Sequence, residues 1–142
     1  MLSHTCKTAI KAVIYLASKK KEEKAGLREV ALYIEASEHT VGKILQLLAK
    51  ENIICSTKGP SGGFFISEKQ KDHPILKIVE AIDGPDLFRQ CGLGLSKCSA
   101  THPCPIHDQY KAVRDGFERL CRENRVADLC LPVNSGYAYL IG

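Results

Sequence analysis

The stretch SEHTVGKILQLLAKENIICSTKGPSGGFFIS, residues 37–67, decides the fold. Ser37 is a residue type whose side-chain oxygen caps helix N-termini, and Val41, Ile44, Leu45 and Leu48 then recur at helical spacing. His39, Thr40, Lys43, Gln46 and Lys50 fall on the opposite face. Two short β-prone runs follow, residues 53–57 and 64–67, separated by Lys58-Gly59-Pro60-Ser61-Gly62-Gly63. Such concentrated turn chemistry between β-prone runs predicts a hairpin.

Toward the N-terminus, Cys6, Ala9, Ile10, Val13, Ile14 and Ala17 mark an amphipathic helix over residues 5–20. A Lys-Glu stretch, residues 19–24, and Gly26 read as a solvated loop. Leu27, Val30, Ala31 and Ile34 then mark a short second helix ending near Ala36. Toward the C-terminus, Pro74 opens a helix in which Ile75, Ile78, Val79 and Ile82 face the core, and Gly84-Pro85 stops it. The order of helix, short helix, tight joint, third helix and glycine-rich hairpin is that of a winged helix-turn-helix. The fold class expected is mainly α with a small β-wing, joined to a long dimerisation helix. Residues 1–84 would form the winged domain, 85–104 an irregular cysteine loop, and 105–142 the dimerisation helix and a C-terminal tail.

That last helix begins after Pro105, and Ile106, Tyr110, Val113, Phe117 and Leu120 follow one another at four, three, four and three residues. The spacing is a heptad seam. Its other face carries Lys111, Asp115, Glu118 and Arg122, so one stripe needs a partner and the rest suits water. Because the helix comes after a completed core, a symmetric homodimer is expected rather than packing on its own domain.

Bulk properties narrow the classes. The 142 residues suit one domain with an appendage, and the hydrophobic fraction of 44% and charged fraction of 25% are those of a globular chain. The apolar run from Ala12 to Ala17 is far too short to span a bilayer. Lys19 to Lys21 follow that run instead of preceding it, the wrong order for a signal peptide, so a cytoplasmic protein without a membrane partner is expected. Residues 1–70 hold 11 Lys and Arg against 7 Asp and Glu, whereas residues 71–142 hold 9 of each. All the excess positive charge lies in the winged half, which points that half at a polyanion.

Double-stranded DNA is the partner expected. The third helix would enter the major groove, where His39, Thr40, Lys43 and Gln46 offer the hydrogen-bonding groups that base edges require. In the wing, Lys58 offers a phosphate contact, and Gly59, Ser61, Gly62 and Gly63 let backbone amides approach the phosphates.

Seven cysteines with no export signal argue against a disulfide framework. Cys6, Cys55, Cys121 and Cys130 lie in apolar patterns and read as core. Cys91, Cys98 and Cys104 instead lie in a polar Gly/Pro/Ser loop, and with His107, expected in the first turn of the next helix, they are separated by gaps of six, five and two residues. Three thiolates and an imidazole form a complete ligand set for an iron–sulfur cluster or zinc. Zinc knuckles favour tighter Cys pairs, so the wide, glycine-bearing gaps favour a cluster, [2Fe-2S] before [4Fe-4S]. His102 is a competing imidazole. A nucleophilic Cys104 with His107 as base lacks an orienting carboxylate and an oxyanion site, so no enzyme is expected.

The wing Lys58-Gly-Pro-Ser-Gly-Gly-Phe-Phe, the stretch ILKIVEAIDG ending at Gly84, and the three-cysteine loop leading into Cys104-Pro-Ile-His107 together resemble the Rrf-two family of bacterial winged-helix regulators, which includes IscR-like cluster sensors and NsrR-like nitric oxide sensors. The resemblance covers nearly the whole chain. It implies a transcription regulator, often a repressor, whose cluster state sets operator binding, with Cys91, Cys98 and Cys104 as ligands and His107 matching the fourth ligand of the IscR-like branch. The first cysteine gap is one residue longer than is common in that branch. Thr40-Val41-Gly42 replaces the Tyr-Leu-Glu often found in the recognition helix. Some relatives complete their cluster from the partner's N-terminal helix, but this chain offers only His4 and Cys6 there. The alternatives are a cluster-free thiol switch using Cys98 and Cys104, and a structural zinc site without sensing.

Overall fold

Ser3 starts the first helix, since its hydroxyl accepts the Cys6 amide at 3.0 Å. Its own amide donates to the Asp83 carboxylate at 2.9 Å, joining the beginning of α1 (His4–Ser18) to the end of a later helix. The computed structural model describes residues 1–142. After α1 come α2 (Leu27–Tyr33), α3 (Glu38–Lys50), β1 (Cys55–Thr57), β2 (Gly63–Phe65), α4 (Glu68–Lys71), α5 (Leu76–Asp83), α6 (His107–Glu123) and α7 (Val126–Asn134). A single 3-10 turn, Leu87–Arg89, follows α5. Mainly helical with one two-stranded sheet, the chain has the winged-helix architecture expected of it. No helix is long and apolar enough to cross a membrane.

Ser37 caps α3 as its residue type suggests, accepting the Thr40 amide at 3.1 Å. The helix then buries Val41, Ile44, Leu45 and Leu48 against α1 and α2. β1 and β2 pair antiparallel with Cys55 opposite Phe65 and Thr57 opposite Gly63. The hairpin is anchored at an unexpected place. Ala25, in the segment expected to be a solvated loop, exchanges two 2.8 Å backbone hydrogen bonds with Phe64 and is fully buried. Gly63 is required there, because a Cβ at that position would lie 2.9 Å from the Ala25 carbonyl oxygen.

Three further features depart from the expectations. Residues 68–71 form the extra turn α4, held by a capping box between Ser67 and Gln70. The buried Gln70 carboxamide also accepts from the Cys55 thiol at 3.3 Å and donates to the Asn52 carbonyl at 3.0 Å. Cys55 is therefore half-buried at the base of the wing rather than in the core.

The residues beyond α6 are no tail. Asn124 and His73 carry the chain back across the start of α5, through Ile75 N–H to Asn124 O at 2.9 Å and Val126 N–H to His73 O at 3.0 Å. Helix α7 then lies along α1. Val126 and Cys130 thereby join Cys6 and Cys121 in the core that holds Val13, Leu45 and Ile78. Val126, Leu129, Cys130 and Val133 have helical spacing, but Pro132 inside the segment reads as a breaker and masks it.

Candidate functional site

Two surfaces carry the chemistry. On the first, His39, Lys43 and Gln46 project from α3 into solvent and Thr40 is half-exposed. Lys58, Gly59 and Ser61 are exposed at the wing tip, with Gly62 and Gly63 half-buried at its return. Gly62 donates its amide to the Gly59 carbonyl at 2.9 Å, closing the turn. Between α3 and the wing runs an open groove of about 440 Å³, lined by Gln46, Lys50, Ser56, Thr57, Lys58 and Phe64. The seven ion pairs of the protein involve none of Lys43, Lys50 and Lys58. Two uncompensated ammonium groups, Lys50 and Lys58, thus border this groove, and Lys43 is exposed on the same helix. Lys50 completes this set and is absent from the sequence-based assignment, because its position at the end of a helix gives no sign that the wing folds back beside it.

The second surface is the cysteine loop, which passes over the first turn of α6. Cys91, Cys104 and His107 are buried and Cys98 is half-buried. The Cys98 sulfur lies 3.4 Å from His107 Nδ1. The Cys91 sulfur accepts the Leu93 amide at 3.4 Å. Amides of Leu93, Leu95 and Gly94, with the Cys104 thiol, hold the Cys91 thiol below its ordinary pKa, the Leu93 amide contributing most. Of the four expected donors, Cys98 and His107 are in contact, and no three Cys, His, Asp or Glu side chains gather about the position of a single ion. His102 is exposed and takes no part. His4 is exposed at the start of α1, while Cys6 is buried among apolar groups that push its thiol up to about 12.

Packing fixes the loop on α6. Gly92 lies flat on the Tyr110 ring, so close that a Cβ there would be 2.7 Å from it. Just before the loop, Phe88 packs on Phe117 with ring centroids 5.7 Å apart. Tyr110 and Phe117 are thus partly covered by their own chain. Ile106, Val113 and Leu120, seven residues apart, remain exposed in a single stripe, Val113 at 61%.

A family model described as Rrf2, an iron-dependent transcriptional regulator, matches residues 2–132. The chain belongs to the Rrf2 family. Among its relatives, an Rrf2-like helix-turn-helix (HTH) transcriptional regulator of Rhodobacter capsulatus is 30% identical over 113 residues, 77% of this chain and 73% of the relative. The HTH-type transcriptional regulator NsrR of Geobacillus kaustophilus is 23% identical over 129 residues, 90% and 88% of the two chains. In fold, this Rrf2 protein is similar to CymR, the global cysteine regulator of B. subtilis, with a TM-score of 0.74 at 18% identity over 92% of this chain and 96% of that one. Its similarity to T. potens IscR has a TM-score of 0.74 at 15% identity, over 98% and 92% of the chains. As an Rrf2 protein, the chain is a DNA-binding transcription regulator.

Proposed function

We propose that this Rrf2 regulator is a homodimer whose operator affinity is set by an iron–sulfur cluster held by Cys91, Cys98, Cys104 and His107. The observation that carries the reading is the contact of Cys98 with His107, in the first turn of α6, with Cys91 and Cys104 buried in the same loop. Donors spread along a loop, rather than gathered about one point, would suit a two-iron core and favour [2Fe-2S] over a single zinc ion. Backbone amides directed at the Cys91 sulfur are the donors that stabilise a thiolate ligand. When bound, the cluster would supply a change of charge and ligation in response to redox state, iron supply or nitric oxide. Everything else is the work of the chain. Cys104 and His107 fix where α6 begins, Ile106, Val113 and Leu120 present it to a second copy, and the paired helices set the distance between recognition helices. On DNA, His39, Thr40, Lys43 and Gln46 read base edges, while Lys58, Gly59, Ser61, Gly62 and Gly63 hold phosphates.

Anaerobic purification followed by iron, sulfide and zinc analysis of wild type and Cys98→Ser tests the reading. Iron and sulfide in equal amounts in the wild type, lost in Cys98→Ser, are expected; stoichiometric zinc without sulfide overturns it. A cluster-free thiol switch is the second reading. Its oxidised form would hold a disulfide of Cys104 with Cys98 or with Cys91. Mapping disulfides in oxidised, metal-free protein distinguishes the two pairings.

A further inference from the structure

Arg114 is a buried cation without an anion. It lies on α6 midway between His107 and Cys121, two turns from each, and all three are buried on one face of the helix. Only 5% of the residue is exposed. Its Nη1 donates to the Gln90 carbonyl at 2.7 Å, one peptide bond before Cys91, and its buried Nε meets no acceptor. No carboxylate forms an ion pair with it. Asp115, the next residue, is engaged by Lys111 at 2.6 Å, and Glu118, one turn on, faces Arg122 at 3.6 Å. Asp83 bonds to Ser3. Asp86, the one carboxylate of residues 85–104, is exposed.

A guanidinium stays protonated throughout the accessible pH range, so it cannot escape burial by neutralising as a lysine can. An isolated buried charge is strongly unfavourable and persists where an opposite charge is supplied. The adjoining loop has one other source of negative charge, its three thiols, which lose their protons on binding metal. A cluster held by three thiolates and a neutral imidazole carries net negative charge, and adding an electron makes it more negative.

We propose that Arg114 is the counter-ion of the cluster bound by the cysteine loop, a positioning residue that raises the cluster's reduction potential and ties its charge to α6. The inference rests on the cluster reading above. A fixed positive charge favours the more negative, reduced state, and the same guanidinium holds the Gln90 carbonyl at the entrance to the loop. Electron arrival at the cluster would therefore be felt as a stronger pull between the loop and the middle of α6.

The test uses the full chain, reconstituted anaerobically with iron and sulfide, as wild type, Arg114→Gln and Arg114→Lys. Iron and sulfide per chain are measured first, and the cluster is then titrated with dithionite through redox mediators. At the poise where the wild-type cluster is half reduced, the reduced-to-oxidised ratio in Arg114→Gln should fall about tenfold, the loss of one low-dielectric charge contact, while Arg114→Lys should stay within about threefold. Melting of the metal-free proteins gives an independent reading. Arg114→Gln should melt no lower than wild type, since an uncompensated charge has been removed, yet gain less on cluster loading. Should Arg114→Gln not fold, Arg114→Met keeps the side-chain volume and serves the same comparison. A loaded variant that reduces at the wild-type potential overturns the counter-ion role and leaves the cluster reading standing. A wild type that takes up neither iron nor sulfide overturns the cluster reading and the counter-ion role with it.

Discussion

Lys58 is a single ammonium group at the tip of the wing, exposed and without an ion-pair partner. Replacing it with alanine should weaken binding to all DNA sequences alike and lower the magnitude of the log-log salt slope by about 0.9 per lost phosphate contact, measured by titration at several salt concentrations. Substitutions at His39, Lys43 or Gln46 should instead change which sequence is preferred. Glu29 offers a test of stability. Its carboxylate accepts from Lys19 Nζ at 2.6 Å and from the Tyr15 hydroxyl at 2.5 Å, and these bonds, Lys19 foremost, hold its pKa below the usual carboxylate range. A depressed folded-state pKa gives stability that is present above the unfolded value and lost as pH falls through the folded one. Glu29→Gln should therefore melt lower than wild type at neutral pH, by under about 1 kcal/mol because the pair is solvent-screened, and the two should converge in acid. The candidate ligands were legible in the sequence because cysteines in a polar loop have no core to fill. Arg114 was not, since an arginine on an amphipathic helix reads as solvated until the fold places Gln90 against it.

At the scale of elements, α6 divides its apolar residues between two tasks. Phe117 and Tyr110 face Phe88 and Gly92 of the same chain, while Ile106, Val113 and Leu120 are left exposed. Val113→Asp or Leu120→Asp should convert dimer to monomer in sedimentation without lowering the monomer's melting temperature, because a carboxylate at those positions is buried only by a partner. Phe117→Asp should damage the fold as well. The heptad spacing in the sequence marks an apolar stripe but could not tell which of its residues the chain itself covers, since the residues that cover Tyr110 and Phe117 come from an irregular segment with no period. The same limit explains Ala25, whose burial depends on a backbone bridge to Phe64 that side-chain patterning does not record. Helices α1, α3 and α5 were legible because each buries a continuous apolar stripe.

Across the whole molecule, the proposed function makes the cysteine loop, α6 and the recognition helices one mechanical series, in which the loop would seat α6 and α6 would set the spacing of the DNA-reading helices in a dimer. Cys98→Ser should leave the dimer intact and shift specific operator affinity by about 5- to 150-fold relative to the loaded wild type, a coupling of roughly 1–3 kcal/mol. His107→Ala should shift it less, since water replaces an imidazole ligand more readily than a thiolate. Equal affinity for loaded, metal-free and Cys98→Ser protein, measured on one operator, would remove any basis for sensing. The pairing of α1 with α7 bears on how such a chain reaches its folded state. Helix α1 packs on α3 and α5 and also on α7, which begins only at Val126, so the closure entropy of nearly all the intervening chain opposes that last contact. On a ribosome, α1 could pack on α3 and α5 as they emerge, but the part of its surface that α7 covers would wait for Val126 and Cys130 to be synthesised, an interval in which other proteins can cover it and in which folding is paced by elongation.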